Sequence, residues 1–169
     1  MTGTEFSRAY DIRKLPTRPL HLEANEQERA DLATRFDLVS VQLLVADIVL
    51  EAKDEAIAMS GTLRASIVQS CAISGDDLPQ SIAEDIAIRF VPERPIDEEE
   101  LELEEDDLDE IAYSGTTIDV GEAVAQSLAL AIDPYATGPD AETVRQEVGL
   151  AEPSPDGPLQ QALKGLKRD

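Results

Sequence analysis

Between Leu38 and Phe90 three apolar runs follow one another with only short turns between them, and that succession limits the fold more than any other feature. Leu38 to Ala52 is rich in Val, Ile and Leu and reads as a long strand. Its alternation shifts near Leu43-Leu44-Val45, which predicts a bulge or burial on both faces. Lys53-Asp54-Glu55 makes a turn. Ile57, Met59, Leu63, Ala65, Ile67 and Cys71 then alternate with Ser60, Thr62, Arg64, Ser66 and Ser70, the pattern of a half-buried strand. After a second turn at Gly75-Asp76-Asp77, Ile82, Ile86, Ile88 and Phe90 alternate with Ser81, Asp85 and Arg89 until Pro92 ends the run. Successive strands joined by short turns predict an antiparallel meander.

The flanks add helices. Glu5 to Ile12 alternates as a short strand. Asn25 is placed as an N-cap with Glu28 in capping-box position, and Ala30, Ala33 and Phe36 give the following helix one apolar face, with Leu32 beside it. Ile111 to Ile118 resumes strand character, and Asp119 is placed to cap a helix whose Val120, Val124, Leu128 and Ile132 repeat at four-residue steps. Gly138 to Pro158 is linker-like apart from a helical turn around Ala141 to Val148. The expectation is an α+β fold: an antiparallel sheet of about five strands, free to be strongly curled or barrel-like, with two or three helices. One domain over residues 1–137 would carry a mobile acidic loop at 95–110, and residues 138–169 would form a linker and a short amphipathic basic tail.

Charge is distributed unevenly along the chain. The formal net charge is −22 over 169 residues, yet residues 1–35 and 145–169 are each neutral. From Pro95 to Val144 there are sixteen acidic residues and no Lys or Arg. The densest part comprises Asp97, Glu98, Glu99, Glu100, Glu102, Glu104, Glu105, Asp106, Asp107, Asp109 and Glu110. Such density opposes compact folding, repels phosphate backbones and attracts basic partners, with a reach of about 8 Å at physiological salt. At the other extreme, Leu159, Leu163 and Leu166 fall on one helical face with Lys164, Lys167 and Arg168 close behind, a tail able to dock in a partner's groove or to touch phosphate, and equally to fold back over its own sheet or fray.

Catalytic patterns are missing from the sequence. The only His, His21, lies in a proline-flanked stretch and reads as an ordinary surface loop residue. Cys71 sits in the apolar register of its strand and reads as an inert core thiol. The acidic run lacks the Gly-directed turn and ligand spacing of a calcium loop, Ser74-Gly75-Asp76-Asp77 has no phosphate-binding Lys, and no aromatic-basic signature of an RNA-binding sheet occurs. No enzyme activity, cofactor or metal is therefore expected. Met1 to Glu5 is polar, no apolar run nears the roughly 18 residues that span a bilayer, and one cysteine makes no internal disulfide. These features predict a soluble cytoplasmic protein without membrane contact.

Ile118-Asp119-Val120-Gly121-Glu122, with its helix stopping near Pro134, looks like the Ile-Asp-Leu strand-to-helix segment of a bacterial family. The closing Pro158-Leu159-Gln160-Gln161-Ala162-Leu163-Lys164-Gly165-Leu166-Lys167-Arg168 is similar to that family's Pro-Phe-x-x-Leu-x-x-Leu-Lys ending, with Leu159 for Phe and Ala162 for Leu. With the acidic stretch and the two-strand approach around Cys71 and Phe90, the chain resembles the YceD family, the large ribosomal RNA subunit accumulation proteins. Many members carry Cys-x-x-Cys where this chain has Cys71-Ala72-Ile73-Ser74, and further cysteines where it has Tyr135 to Asp140. A thiolate zinc site cannot be assembled from one cysteine.

The resemblance implies a non-enzymatic factor supporting synthesis, processing or stability of large-subunit ribosomal RNA. Family genes commonly lie beside one for a small basic ribosomal protein, so the partner it implies is such a protein or a large-subunit assembly intermediate. Asp97 to Glu110 would supply attraction, and the sheet or tail specificity. Two other readings remain open at this point. One is direct RNA binding through Arg8, Arg13, Lys14, Arg18 and the tail, and the other an enzyme with an acidic metal site. The oligomeric state is not legible.

Overall fold

The computed structural model describes residues 5–93 and 109–148. Its centre is a five-stranded sheet in the order β2-β3-β4-β5-β6, formed by β2 (Leu20–Glu23), β3 (Ser40–Lys53), β4 (Ala56–Ser70), β5 (Asp77–Pro92) and β6 (Asp109–Tyr113). A second, two-stranded sheet pairs β1 (Ala9–Asp11) with β7 (Thr117–Asp119). The helices are α1 (Glu26–Arg35), α2 (Val120–Ala131) and α3 (Ala141–Glu147).

The meander forms where the alternation places it. β3, β4 and β5 pair antiparallel along nearly their whole lengths, and Asp54 takes the φ of +55° that the tight β3–β4 turn requires. The register shifts between Val41 and Leu43, so Gln42 bulges one residue ahead of the predicted break in alternation. Asn25 and Glu28 close the expected capping box on α1, and Asp119 caps α2.

Three expectations need correction. The sheet is mixed, because β6 runs parallel to β5. Parallel neighbours need a crossover of about a dozen residues, and the interval between Glu93 and Asp109 is long enough for one where the short turns at 54–55 and 71–76 are not. Nor is the sheet closed or curled into a barrel: β2 and β6 stand at opposite edges. The strand expected over 111–118 is also broken, at Gly115 with φ +74°, so its first half joins the large sheet and its second half joins β1.

α1 packs on β3, and α2 packs against β4, β5 and β1. Leu32 from α1 and Val120, Val124 and Leu128 from α2 share one core with Leu44, Ile48, Met59, Leu63, Ile67 and Phe90. That core is almost wholly aliphatic. The opposite sheet face is polar, with the row Asp47, Thr62 and Asp85 exposed across β3, β4 and β5.

Candidate functional site

Ile118 to Glu122, the most distinctive stretch of the sequence, is a joint between elements. The Asp119 carboxylate accepts the Glu122 N–H at 3.0 Å, the Arg8 N–H at 2.8 Å and the Ser7 hydroxyl at 2.6 Å. The Val120 N–H donates to the Arg8 carbonyl at 2.9 Å. A side chain on Gly121 would place its Cβ 2.6 Å from the Phe6 carbonyl oxygen and 2.7 Å from the Arg8 nitrogen. Only glycine lets the N-terminal strand lie this close to α2. Glu122 grips the Arg35 guanidinium with both oxygens, at 2.7 and 2.9 Å, which holds its carboxyl below the usual range. Arg8 in turn pairs with Glu28 of the α1 capping box at 2.7 Å. The first strand and both long helices are thus tied together by one polar network.

That network removes cations from the surface. Arg8 is held by Glu28, and Arg13 is held at 2.6 Å by Asp11, whose carboxyl falls to about 2 because the Arg13 side chain and backbone both donate to it. Half of the Arg8, Arg13, Lys14 and Arg18 set is therefore already neutralised. His21 lies in edge strand β2, a correction to its reading as a loop residue. Its Nδ1 is 2.6 Å from Asp47, and it remains exposed.

Of the predicted partner-binding residues, Asp97, Glu98, Glu99, Glu100, Glu102, Glu104, Glu105, Asp106 and Asp107 lie outside the described residues, as do Leu159, Leu163, Lys164, Leu166, Lys167 and Arg168. Asp109 and Glu110 are described. Both open β6, a correction to their assignment to a loop. Glu110 pairs with Arg89 at 3.2 Å. Asp109 instead helps line a cleft of about 350 Å³ with Glu84 and Asp85 of β5 and Ser127, Leu130 and Ala131 of α2.

A neighbouring cleft of about 240 Å³ continues along β5 past Gln80, Ile82 and Glu84 to Asp133. Among the described residues, no basic side chain lines either cleft. The last turn of α2 carries no basic residue, so its carbonyl end adds negative potential at the same place. Leu130, 80% exposed, stands in the middle as an apolar foothold. Nothing in the sequence reading found this groove. Two signals point to it in hindsight: Pro79 inside a strand marks an edge, and Leu130 falls off the Val120-Val124-Leu128 stripe.

A family model described as large ribosomal RNA subunit accumulation protein YceD matches residues 59–164. The chain belongs to the YceD family. No curated protein and no solved structure matches it. The family match contains both walls of the groove and the Ile118–Glu122 joint, while Phe6, Arg8 and Arg35, which complete the joint, precede it.

Cys71 is the one cysteine of the chain. Its reading as a strand residue needs correction: it follows Ser70, the last residue of β4, and lies in the turn toward β5. It is 4% exposed but outside the main core. Its Sγ accepts N–H bonds from Ser74 at 3.5 Å and from Gly138 at 3.2 Å, and the Ala72 N–H donates to the Ala136 carbonyl at 3.0 Å. So the turn after β4 and the segment from Ala136 to Gly138 meet around a single thiol. The Ser74 side chain and backbone, with the N–H groups of Gly138 and Ile73, bring that thiol down to about 6. These donors outweigh the covering of the sulfur because it sits under loop rather than in the apolar core.

Proposed function

We propose that the chain is a non-enzymatic factor that supports synthesis, processing or stability of large-subunit ribosomal RNA by capturing a basic ribosomal protein or assembly partner. Family membership supports the ribosomal RNA role. The observation that carries the mode of action is the groove lined by Glu84, Asp85 and Asp109, with Asp109 the first described residue of the acidic run. Each Lys or Arg placed about 4 Å from one of these carboxylates gains about 1 kcal/mol in a water-like dielectric. Several such contacts together hold a basic protein in solution. RNA carries a denser line of charge and takes the partner over when the two meet.

Retrieval of the tagged protein from cells at moderate salt, with and without ribonuclease, tests this reading. A basic ribosomal protein that stays bound after nuclease treatment is the expected result. Recovery of large-subunit precursor RNA alone, released by nuclease, would replace protein capture with direct RNA contact.

A further inference from the structure

β5 is long and only partly covered. It pairs with β4 from Asp77 to Phe90, whereas β6 covers only Ile88 to Pro92. Among the described residues, Asp77 to Ala87 therefore has one side without a neighbouring strand. Backbone N–H and C=O groups along such an edge are satisfied by water or by another strand. Pro79 has no N–H to offer and marks one end of the usable stretch, and β6 closes the other at Asp109. Gln80 to Ala87 lies between, about 26 Å of extended chain.

We propose that this edge receives a lysine- or arginine-rich extended segment of the captured partner as an added strand, collinear with β6. The proposal rests on the capture reading above and says where and how capture happens. Charge decides the occupant. Glu84 and Asp85 sit mid-edge and carry no ion pair among the described residues, and Asp109 and Asp133 bound the same groove. A second copy pairing here would bring like charges together, which is how natural edges resist self-association. A basic strand meets the opposite situation. The floor of the groove selects further: Leu130 and Ala131 of α2 face the space beside the edge. Side chains of an added strand alternate in direction. A segment that alternates basic and apolar residues therefore sets its apolar side on Leu130 and its cations on the opposite face, beside Asp85 and the acidic row it shares with Asp47. Glu84, across from Leu63 on the Leu130 side, adds to the attraction. Main-chain bonds supply affinity and the alternation supplies specificity.

The test uses the full chain and a short synthetic peptide alternating Lys and Val, with hydrogen exchange read residue by residue. The expected result is new protection at the amides of Gln80 to Ala87 when the peptide is added. Methylating alternate backbone nitrogens of the peptide keeps its charge but removes strand donors, and weakens binding about tenfold or more. Glu84→Lys combined with Asp85→Lys, both exposed substitutions, also weakens binding about tenfold at moderate salt. Equal affinity for the methylated peptide would overturn the proposal, as would protection elsewhere on the chain. Edge amides already protected without peptide would overturn it too: concentration dependence would name a second copy as the occupant, and its absence the chain itself. Binding at the edge together with unchanged ribosomal RNA levels in cells carrying the double substitution would leave the edge standing and sink the functional reading instead.

Discussion

Replacing Gly121 by alanine sets two physical effects against each other. Gly121 lies in the first turn of α2, and helix propensity alone favours alanine there by up to about 1 kcal/mol. The added Cβ, however, would stand 2.6 Å from the Phe6 carbonyl oxygen, 2.7 Å from the Arg8 nitrogen and 2.9 Å from the Ser7 carbonyl carbon. All three are backbone atoms, so no side chain can rotate away. Overpacking of this kind costs about 1–3 kcal/mol when the structure absorbs it in place.

If residues 6–8 instead lift off α2, two hydrogen bonds, Val120 to Arg8 and Arg8 to Asp119, go with them at about 1 kcal/mol each. Phe6, now fully buried, would lose about 2 kcal/mol more. Set against the helix gain, the first route leaves a net loss of up to about 2 kcal/mol and the second about 3 kcal/mol, a fall in melting temperature of up to about 10 °C. Urea unfolding of the variant measures the loss, and hydrogen exchange at residues 6–11 shows whether the strand has lifted. Introducing Phe6→Ala first should reduce the cost of Gly121→Ala, because both act on the same contact. A Gly121→Ala protein as stable as the parent, or more stable, would refute the close-approach argument.

Other predictions concern single groups. Glu122→Gln should cost about 1 kcal/mol at neutral pH by weakening its hold on Arg35. Because the Glu122 carboxyl is lowered in the fold from its ordinary 4.5, the gap between parent and variant is full above that value and closes as pH falls through the folded one. The Cys71 thiol should ionise near pH 6, read by thiolate absorbance or by the rate of alkylation, with Ser74→Ala moving the midpoint upward. A lowered thiol stabilises the fold only once ionised, so relative to Cys71→Ala the parent should gain stability from about pH 6 up to about pH 9. Asn25→Ala should cost about 1 kcal/mol in thermal unfolding through loss of its bond to the Glu28 N–H, which is 2.9 Å long.

Elements whose cause is local could be read from the sequence. The meander follows from alternation and short turns, and the helix starts at Asn25 and Asp119 follow from side chains that bond the nearest free N–H groups. What escaped depends on partners distant in sequence. Nothing near Asp109 announces a parallel partner at Ile88, because acid density hides the strand start and parallel pairing has no turn signature. Gly121 reads locally as an ordinary helix position until Phe6 and Arg8 are known to pass over it. Cys71 kept the alternation of β4 one residue beyond its end, so pattern placed it in the strand while its bonds come from Ser74 and Gly138. The groove was missed for the same reason: Glu84, Asp109 and Leu130 belong to three elements and meet only in space.

Ribosomal RNA itself gives the most direct test. In cells lacking the gene, the ratio of large- to small-subunit ribosomal RNA would be measured after restoring either the parent protein or the folded Glu84→Lys, Asp85→Lys variant. Restoration by the parent and failure of the variant, at equal protein levels, is the predicted result. Full restoration by the variant would contradict capture through the acidic groove.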